Sequence, residues 1–100
     1  MRVSYKGNKL AKACTDEREM QRKYPALKKK LRLRVKALEN SDTLGDLLDD
    51  DPGGAWHELK HDRADTWAGE LSGNWRLIVE PSPNSLDAVD VTVVDIGDYH

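Results

Sequence analysis

The apolar residues of this chain change their spacing half-way along its length. In residues 25–40 they recur near the helical period of 3.6, at Leu27, Leu31, Val35 and Leu38. In residues 56–96 apolar and β-branched residues instead alternate with polar ones, which is typical of strands. A helical stripe and a one-sided sheet each need a surface to cover them, so the pattern predicts an α+β fold with the sheet packed against the helices. With 100 residues, we expect one domain over 1–100.

Turn and capping residues place the boundaries of the predicted elements. They indicate a strand over residues 1–5, helices over 9–22 and from Pro25 onwards, a short helix over 43–48, and strands over 56–61, 66–71, 74–80 and 88–96. The order is β-α-α-(short helix)-β-β-β-β, with the two longer helices forming an antiparallel pair and the sheet mostly antiparallel. Gly73 permits a two-residue hairpin, formed by 72–73 or 73–74.

Alternation then predicts which strand residues are buried. The core candidates are Trp67, Leu71, Trp75, Leu77 and Val79. Arg76 falls on the opposite face of the sheet from its two neighbours. In the last strand, alternation puts Val89, Val91 and Val93 on one face, and Val94 and Ile96 on the other.

Charge is distributed unevenly along the chain. Residues 1–40 contain 13 Lys or Arg and 4 Asp or Glu, whereas residues 41–100 contain 3 and 14. The basic half indicates a polyanionic partner, or else a solvated surface that the acidic half neutralises on folding. The three adjacent carboxylates Asp49–Asp51 lack the alternate spacing of a calcium loop, so we predict no metal site.

The chain shows no sign of export or membrane insertion. Cys14 is the one cysteine, the first ten residues lack the apolar segment of a secretory signal, and no run approaches a membrane span. We expect a reduced, cytoplasmic protein with no membrane contact.

Two stretches carry residues suited to acid–base chemistry on a phosphate. Metal-free RNA cleavage needs a base for the ribose 2′-hydroxyl, cations for the phosphate and an acid for the leaving oxygen, roles that His, Arg and Lys fill. His57, Lys60 and His61 share one predicted strand, Arg76 follows a turn, and the chain ends in Asp98-Tyr99-His100, at 98–100. The competing interpretation is a soluble sheet edge, an Arg76 ion pair on the sheet and a frayed C-terminus.

These stretches resemble a known family. WHELKHDR at 56–63, LSGNWRLIVEP at 71–81 and the terminal DYH are similar to the HigB branch of the RelE/ParE toxin superfamily. The resemblance implies a RelE-like β-α-α-β-β-β(-β) fold and a toxin of a type II toxin–antitoxin system. Such a toxin cleaves mRNA on the ribosome without a cofactor. Its partner would be a HigA-type helix-turn-helix antitoxin, through which alone operator DNA is contacted.

Carried over position by position, the resemblance also implies roles for individual residues. The catalytic candidates are His57, Lys60, Arg76, Asp98, Tyr99 and His100. The RNA-binding candidates are Asn74, which shapes the turn, and the basic helical residues Lys28, Lys29, Lys30, Arg32 and Arg34. His57 or His100 would act as acid or base, and Tyr99 would stack on a base. The chain departs from the family in charge, because its pI is 5.9 whereas these toxins are usually basic.

The same fold admits other functions, since fold alone does not set activity. One alternative is the ParE branch, which poisons DNA gyrase without cutting RNA. Another is a non-catalytic binding module that only associates with a regulator.

Overall fold

A computed structural model of the chain describes residues 1–60 and 63–98. The elements, in chain order, are β1 (Arg2–Tyr5), α1 (Asn8–Thr15), α2 (Glu17–Lys23), α3 (Lys28–Asn40), α4 (Leu44–Asp50), a 3₁₀ turn (Pro52–Gly54), β2 (His57–Glu58), β3 (Trp67–Glu70), β4 (Trp75–Ser82) and β5 (Asp90–Asp98). The α+β class predicted from the change in apolar spacing is confirmed.

The strands form one mixed sheet in the order β1-β5-β4-β3-β2. The pairs β2–β3, β3–β4 and β4–β5 are antiparallel, and β1 lies parallel to β5. The mostly antiparallel sheet is therefore confirmed. Strand β4, which carries Arg76, lies at the centre of the sheet between β3 and β5.

The apolar core lies between the helices and one face of the sheet. Its fully buried members come from both layers, including Leu31 and Leu38 of α3 and Leu77, Val79 and Val93 of the sheet. Leu71 is buried as predicted, whereas Trp67 and Trp75 are half-buried at the margin of the core.

The first long helix predicted from the sequence is interrupted at Asp16. The Asp16 carboxylate accepts hydrogen bonds from the backbone N–H groups of Arg18 and Glu19 and so caps α2. An aspartate favours this N-terminal position over a helix interior, because its side chain competes for backbone donors. Glu17, at the start of α2, forms ion pairs with Lys28 and Arg32 of α3, so these two helices are in contact.

The short helix predicted at 43–48 is α4. Thr43 caps it, since Oγ1 accepts from the N–H of Asp46 at 3.1 Å. Part of the acidic loop predicted after it is helical, because α4 continues to Asp50 and a 3₁₀ turn follows.

Strand β2 is much shorter than the six residues predicted, and the reason lies at Trp56. Its indole is buried, and Nε1 donates to Asp51 Oδ2 at 2.9 Å. Gly54 and Gly69 flank the ring so closely that a Cβ at either position would lie within 2.7 Å of it. Trp56 therefore belongs to the core, and the sheet edge begins only at His57.

Strand β5 differs from simple alternation at its middle. The register with β4 shifts between Ile78 and Val79, which pair with Asp95 and Val93. Val94 is thus the extra residue of a β-bulge, and Ile96 returns to the core face beside Val93. The prediction that Ile96 and Val93 lie on opposite faces was wrong for this reason.

Among the described residues, no helix has the length and apolar character that crossing a membrane would require.

Candidate active site

Arg76 lies at the start of β4, on the sheet face away from the helices. Its neighbours Trp75 and Leu77 pack against the core, and side chains alternate along a strand. Its Nη1 donates to the carbonyl oxygens of Gly73 and Trp75, both at 2.9 Å, and Nη2 lies 3.6 Å from Glu70 Oε1. Nη1 carries both hydrogen bonds, so Nε–H and Nη2–H are the donors left for a phosphate, and the Glu70 carboxylate competes with the phosphate for Nη2.

Four residues, 71–74, connect β3 to β4 in the hairpin that presents Arg76, whereas two were predicted. The N–H of Leu71 donates to the carbonyl of Trp75 at 3.0 Å, and the N–H of Trp75 donates to that of Ser72 at 2.9 Å. Gly73 adopts a left-handed φ of +57°, which explains the glycine at this position. Asn74 is exposed at the tip, next to the strand that carries Arg76.

His57 lies on the outermost strand, exposed, and its ring orientation is set by a backbone contact. Nδ1 is 3.1 Å from the carbonyl oxygen of Ala55, which itself has a left-handed φ of +45°. When Nδ1 carries the proton and donates to this carbonyl, Nε2 keeps its lone pair and faces outward as a base. A histidine held in this way can accept the proton of a ribose hydroxyl.

The sheet register puts His57 and Arg76 on the same face. His57 pairs with Ala68, which pairs with Ile78, so these three residues form one row across the strands. Arg76 lies two residues along β4 from Ile78, in the row that contains Glu70. Strand spacing and rise per residue then separate the Cα atoms of His57 and Arg76 by roughly 12 Å. Within residues 1–60 and 63–98 no hydrogen bond or ion pair joins the two side chains, and Ala68 and Ile78, which lie between them, are buried.

An ion pair on this face was not predicted from the sequence. Arg63 Nη2 donates to Asp95 Oδ2 at 2.9 Å, and the Thr66 hydroxyl donates to the carbonyl of Arg63. Asp95 pairs with Ile78 and so continues the row of His57, Ala68 and Ile78 across the sheet. The pairing depends on the bulge at Val94, which no local sequence signal indicates.

The remaining strand and tail candidates fall in different places. Asp98 ends β5 beside Trp75, which brings the end of the chain next to the hairpin, but the register puts the Asp98 side chain on the Trp75 face and not on that of Arg76. Lys60 is exposed just beyond β2. Tyr99, His100 and His61 lie outside the described residues, so their predicted roles stay predictions.

The basic residues predicted on α3 divide into three kinds. Arg32 makes a bidentate pair with Glu17 at 2.8 and 2.7 Å, and Lys28 lies 3.6 Å from the same carboxylate. Hydrogen bonding from Arg32 lowers the pKa of the Glu17 carboxyl. Lys29 and Lys30 are exposed.

Arg34 is buried and does not belong to the predicted basic surface. Its guanidinium donates to Glu70 O at 2.7 Å, Gly53 O at 2.8 Å and Asp51 Oδ1 at 3.0 Å. It therefore ties α3 to the end of β3 and to the loop before β2. The helical spacing contained the signal, because Arg34 lies three residues after Leu31 and four before Leu38, on the apolar stripe.

No group of three or more His, Cys, Asp or Glu side chains within residues 1–60 and 63–98 is arranged to hold a metal ion. The absence of a metal site therefore remains a prediction for the chain as a whole.

Comparison with known proteins gives a fold and no close relative. No family model and no curated protein matches the chain. Among solved structures, a YoeB/ParE toxin from Agrobacterium tumefaciens matches over 100% of both chains, with a TM-score of 0.51 and 16% sequence identity. The chain therefore shares the fold of that toxin. At this level of identity the likeness concerns the fold alone.

Proposed function

We propose that the protein is the toxin of a type II toxin–antitoxin system and cleaves mRNA on the ribosome by a metal-independent, HigB-type reaction. The observation that carries the proposal is the shared sheet face of His57 and Arg76. One offers a ring nitrogen with a lone pair, and the other offers two N–H donors at the rim of a hairpin. The toxin fold supports the same conclusion.

The chemistry needs no group beyond side chains of this kind. A histidine, His57 or His100, removes the proton of a ribose 2′-hydroxyl, and the resulting oxygen attacks the adjacent phosphorus. Arg76 and Lys60 stabilise the charge that develops on the phosphate oxygens. The other histidine protonates the departing 5′-oxygen, which leaves a 2′,3′-cyclic phosphate and a 5′-hydroxyl end. Tyr99 stacks on a base, whereas Asp98, which lies on the Trp75 face of the sheet, is left out of the proposed site.

The proposed partners follow from the same reading. Exposed Lys29 and Lys30 would face ribosomal RNA, with Asn74 contacting the mRNA at the hairpin tip. A HigA-type antitoxin would neutralise the toxin and contact operator DNA on behalf of the complex. The protein would act in the cytoplasm, where ribosomes translate.

The test is to map mRNA ends in a translating extract that contains the wild type or Arg76→Ala. Losing a transition-state phosphate contact should lower the cleavage rate on the order of 10²–10³-fold. Arg76→Lys should recover part of the rate, because it keeps the charge but loses the two-pronged geometry. Arg2→Ala is the matched control, since Arg2 is an exposed arginine paired with Asp90 at the far edge of the sheet. This variant should cleave mRNA at the wild-type rate.

Circular dichroism must show that each variant is folded. Equal cleavage by Arg76→Ala and the wild type would remove Arg76 from the site. Absence of cleavage by the wild type, together with gyrase-dependent DNA breaks, would contradict the proposal and favour a ParE-type activity.

A further inference from the structure

Two depressions lie close to the hairpin and to the end of α2. The first, of about 320 Å³, is lined by Lys6, Lys9, Lys23 and Tyr24 together with Asp95. The second, of about 330 Å³, shares Lys23 and Tyr24 with the first. Lys23 and Tyr24 line both depressions, which therefore adjoin at these two side chains. Their six defining residues, which we call the lysine–aromatic surface, are Lys6, Lys9, Lys23, Tyr24, Ser72 and Trp75.

The three lysines of this surface are exposed, and none of them forms an ion pair within the described residues. The acidic groups nearest to them have other partners. Asp95 lines the first depression, but its carboxylate accepts a hydrogen bond from Arg63. Glu19 interacts with Lys23 electrostatically and holds Arg22 through two hydrogen bonds. The surface therefore keeps a net positive charge that suits a polyanion.

The aromatic part of the surface suits a planar ligand. Tyr24 and Trp75 pack edge to face, with ring centroids 6.1 Å apart and an interplanar angle of 69°. Both are half-buried, so each ring leaves part of its surface in the groove. Burial raises the pKa of the Tyr24 phenol, which therefore stays neutral and adds no negative charge. Neutral rings beside lysines are the combination with which proteins hold unpaired bases and their phosphates.

The surface meets the candidate active site at the hairpin. Gly73 lines the groove, and its carbonyl oxygen accepts the hydrogen bond from Arg76. Trp75 and Arg76 are consecutive residues that face opposite sides of the sheet. An RNA strand bound by Arg76 thus needs only to cross the rim of the hairpin to reach Trp75.

We propose that the lysine–aromatic surface binds single-stranded RNA, with one base on the Tyr24–Trp75 pair and backbone phosphates on Lys23, Lys9 and Lys6. The proposal rests on the proposed function for its claim that this RNA continues the strand cut on the other face. RNA satisfies both halves of the surface with one repeating unit, because every nucleotide carries a phosphate and a flat ring. An acidic protein segment would match the lysines alone, and competition separates it from RNA.

The experiment measures fluorescence anisotropy of a labelled single-stranded RNA of about 12 nucleotides, within the usual range of site sizes. The RNA carries 2′-O-methyl groups so that it cannot be cut. For Lys9→Gln/Lys23→Gln, the dependence of log K on log salt should fall by about 1.4, that is about 0.7 for each lost phosphate contact on a single strand. The control Arg18→Gln/Lys36→Gln removes the same charge from exposed positions outside the surface and should keep the wild-type slope.

The aromatic contact has its own pair of variants. Tyr24→Leu should weaken binding on the order of tenfold, whereas Tyr24→Phe keeps the ring and should bind like the wild type. If Tyr24→Leu fails to fold, the lysine variants still decide the matter.

Three results would overturn the inference. They are no salt-dependent RNA binding by the wild type, equal salt slopes for the surface and control variants, and displacement of the RNA by poly-glutamate at the same charge concentration. Cleavage in the translating extract is scored separately. RNA binding without cleavage would contradict the proposed function but not the RNA-binding surface. Cleavage by the wild type, together with unchanged RNA binding in the surface variants, would contradict the RNA-binding surface but not the proposed function.

Discussion

Replacing Asp51 by alanine should destabilise the protein strongly, because its carboxylate serves two buried donors. Oδ1 accepts from Arg34 Nη1 at 3.0 Å and Oδ2 accepts from Trp56 Nε1 at 2.9 Å. The side chains of Arg34 and Asp51 are only 6% and 13% exposed. Removing one partner of a buried ion pair typically costs about 3–5 kcal/mol, because the remaining charge is left without compensation. Arg34 keeps its hydrogen bonds to two carbonyl oxygens in the variant, so the loss should lie at the lower end of this range, at about 3 kcal/mol.

The free energy of unfolding would be measured by urea denaturation of the wild type and of four variants, beginning with Asp51→Ala. Asp50→Ala is the matched control, since Asp50 is the exposed neighbour and its loss should change stability by less than about 0.5 kcal/mol. Arg34→Met and the double variant Asp51→Ala/Arg34→Met complete a double-mutant cycle. A coupling energy of about 1–3 kcal/mol is expected for groups in direct contact.

The double variant is the informative one, because an apolar replacement for a buried pair is often tolerated. It should be more stable than Asp51→Ala alone. The reasoning would be refuted if Asp51→Ala cost no more than Asp50→Ala, or if the effects of the two single variants simply added.

Two further predictions concern the core. Burial raises the pKa of the Cys14 thiol to about 12, so the stability that the protonated thiol contributes is complete below the unfolded-state pKa of about 8.5 and is lost as pH rises from there towards 12. At pH 7.5 the native protein should therefore react slowly with a thiol reagent, and the reaction rate should rise across the urea transition. Fast reaction without urea would contradict the buried position of Cys14. Gly69→Ala puts a Cβ 2.6 Å from Trp56 Cη2 and should lower the free energy of unfolding in urea by about 1–3 kcal/mol. Gly53→Ala is the control, because its Cβ would lie 3.4 Å from the nearest atom, and it should be nearly neutral. Equal stability of the two variants would show that Trp56 can move.

The sheet face of Arg76 could be predicted from the sequence because β4 is regular at that point. Trp75 and Leu77 alternate with Arg76, and nothing between them changes the register. Apolar periodicity likewise predicted α3 and its contact with the sheet. Such features depend on the pleat or the helical turn alone, and local sequence records both.

Features that depend on distant contacts were not predictable in the same way. The bulge at Val94 shifts the register of β5 and brings Asp95 opposite Ile78, where Arg63 can reach it. Strand β2 begins at His57 and not at Trp56, because the Trp56 ring is buried against a glycine on another strand and bonded to a carboxylate five residues earlier. Neither effect leaves a trace in the spacing of residues 56–61 or 88–96.

Charge gave a mixed result, because the sequence counts charges without showing which are paired. Arg2–Asp90 and Arg34–Asp51 join the basic and acidic halves, whereas Glu17 pairs with cations of its own half. Folding therefore does not neutralise the basic half uniformly.

The two sides of the candidate site are held by different parts of the molecule. Arg76 is positioned by its own hairpin, through the carbonyls of residues one and three positions earlier. His57 follows Trp56, which depends on Asp51 and through it on Arg34 of α3. His57 and Arg76 are thus positioned separately, one through contacts that reach α3 and the other within its own hairpin. Charge counting assigns Arg34 to an RNA-facing surface. In the structure Arg34 is buried and, through Asp51 and Trp56, helps to position the strand that carries His57.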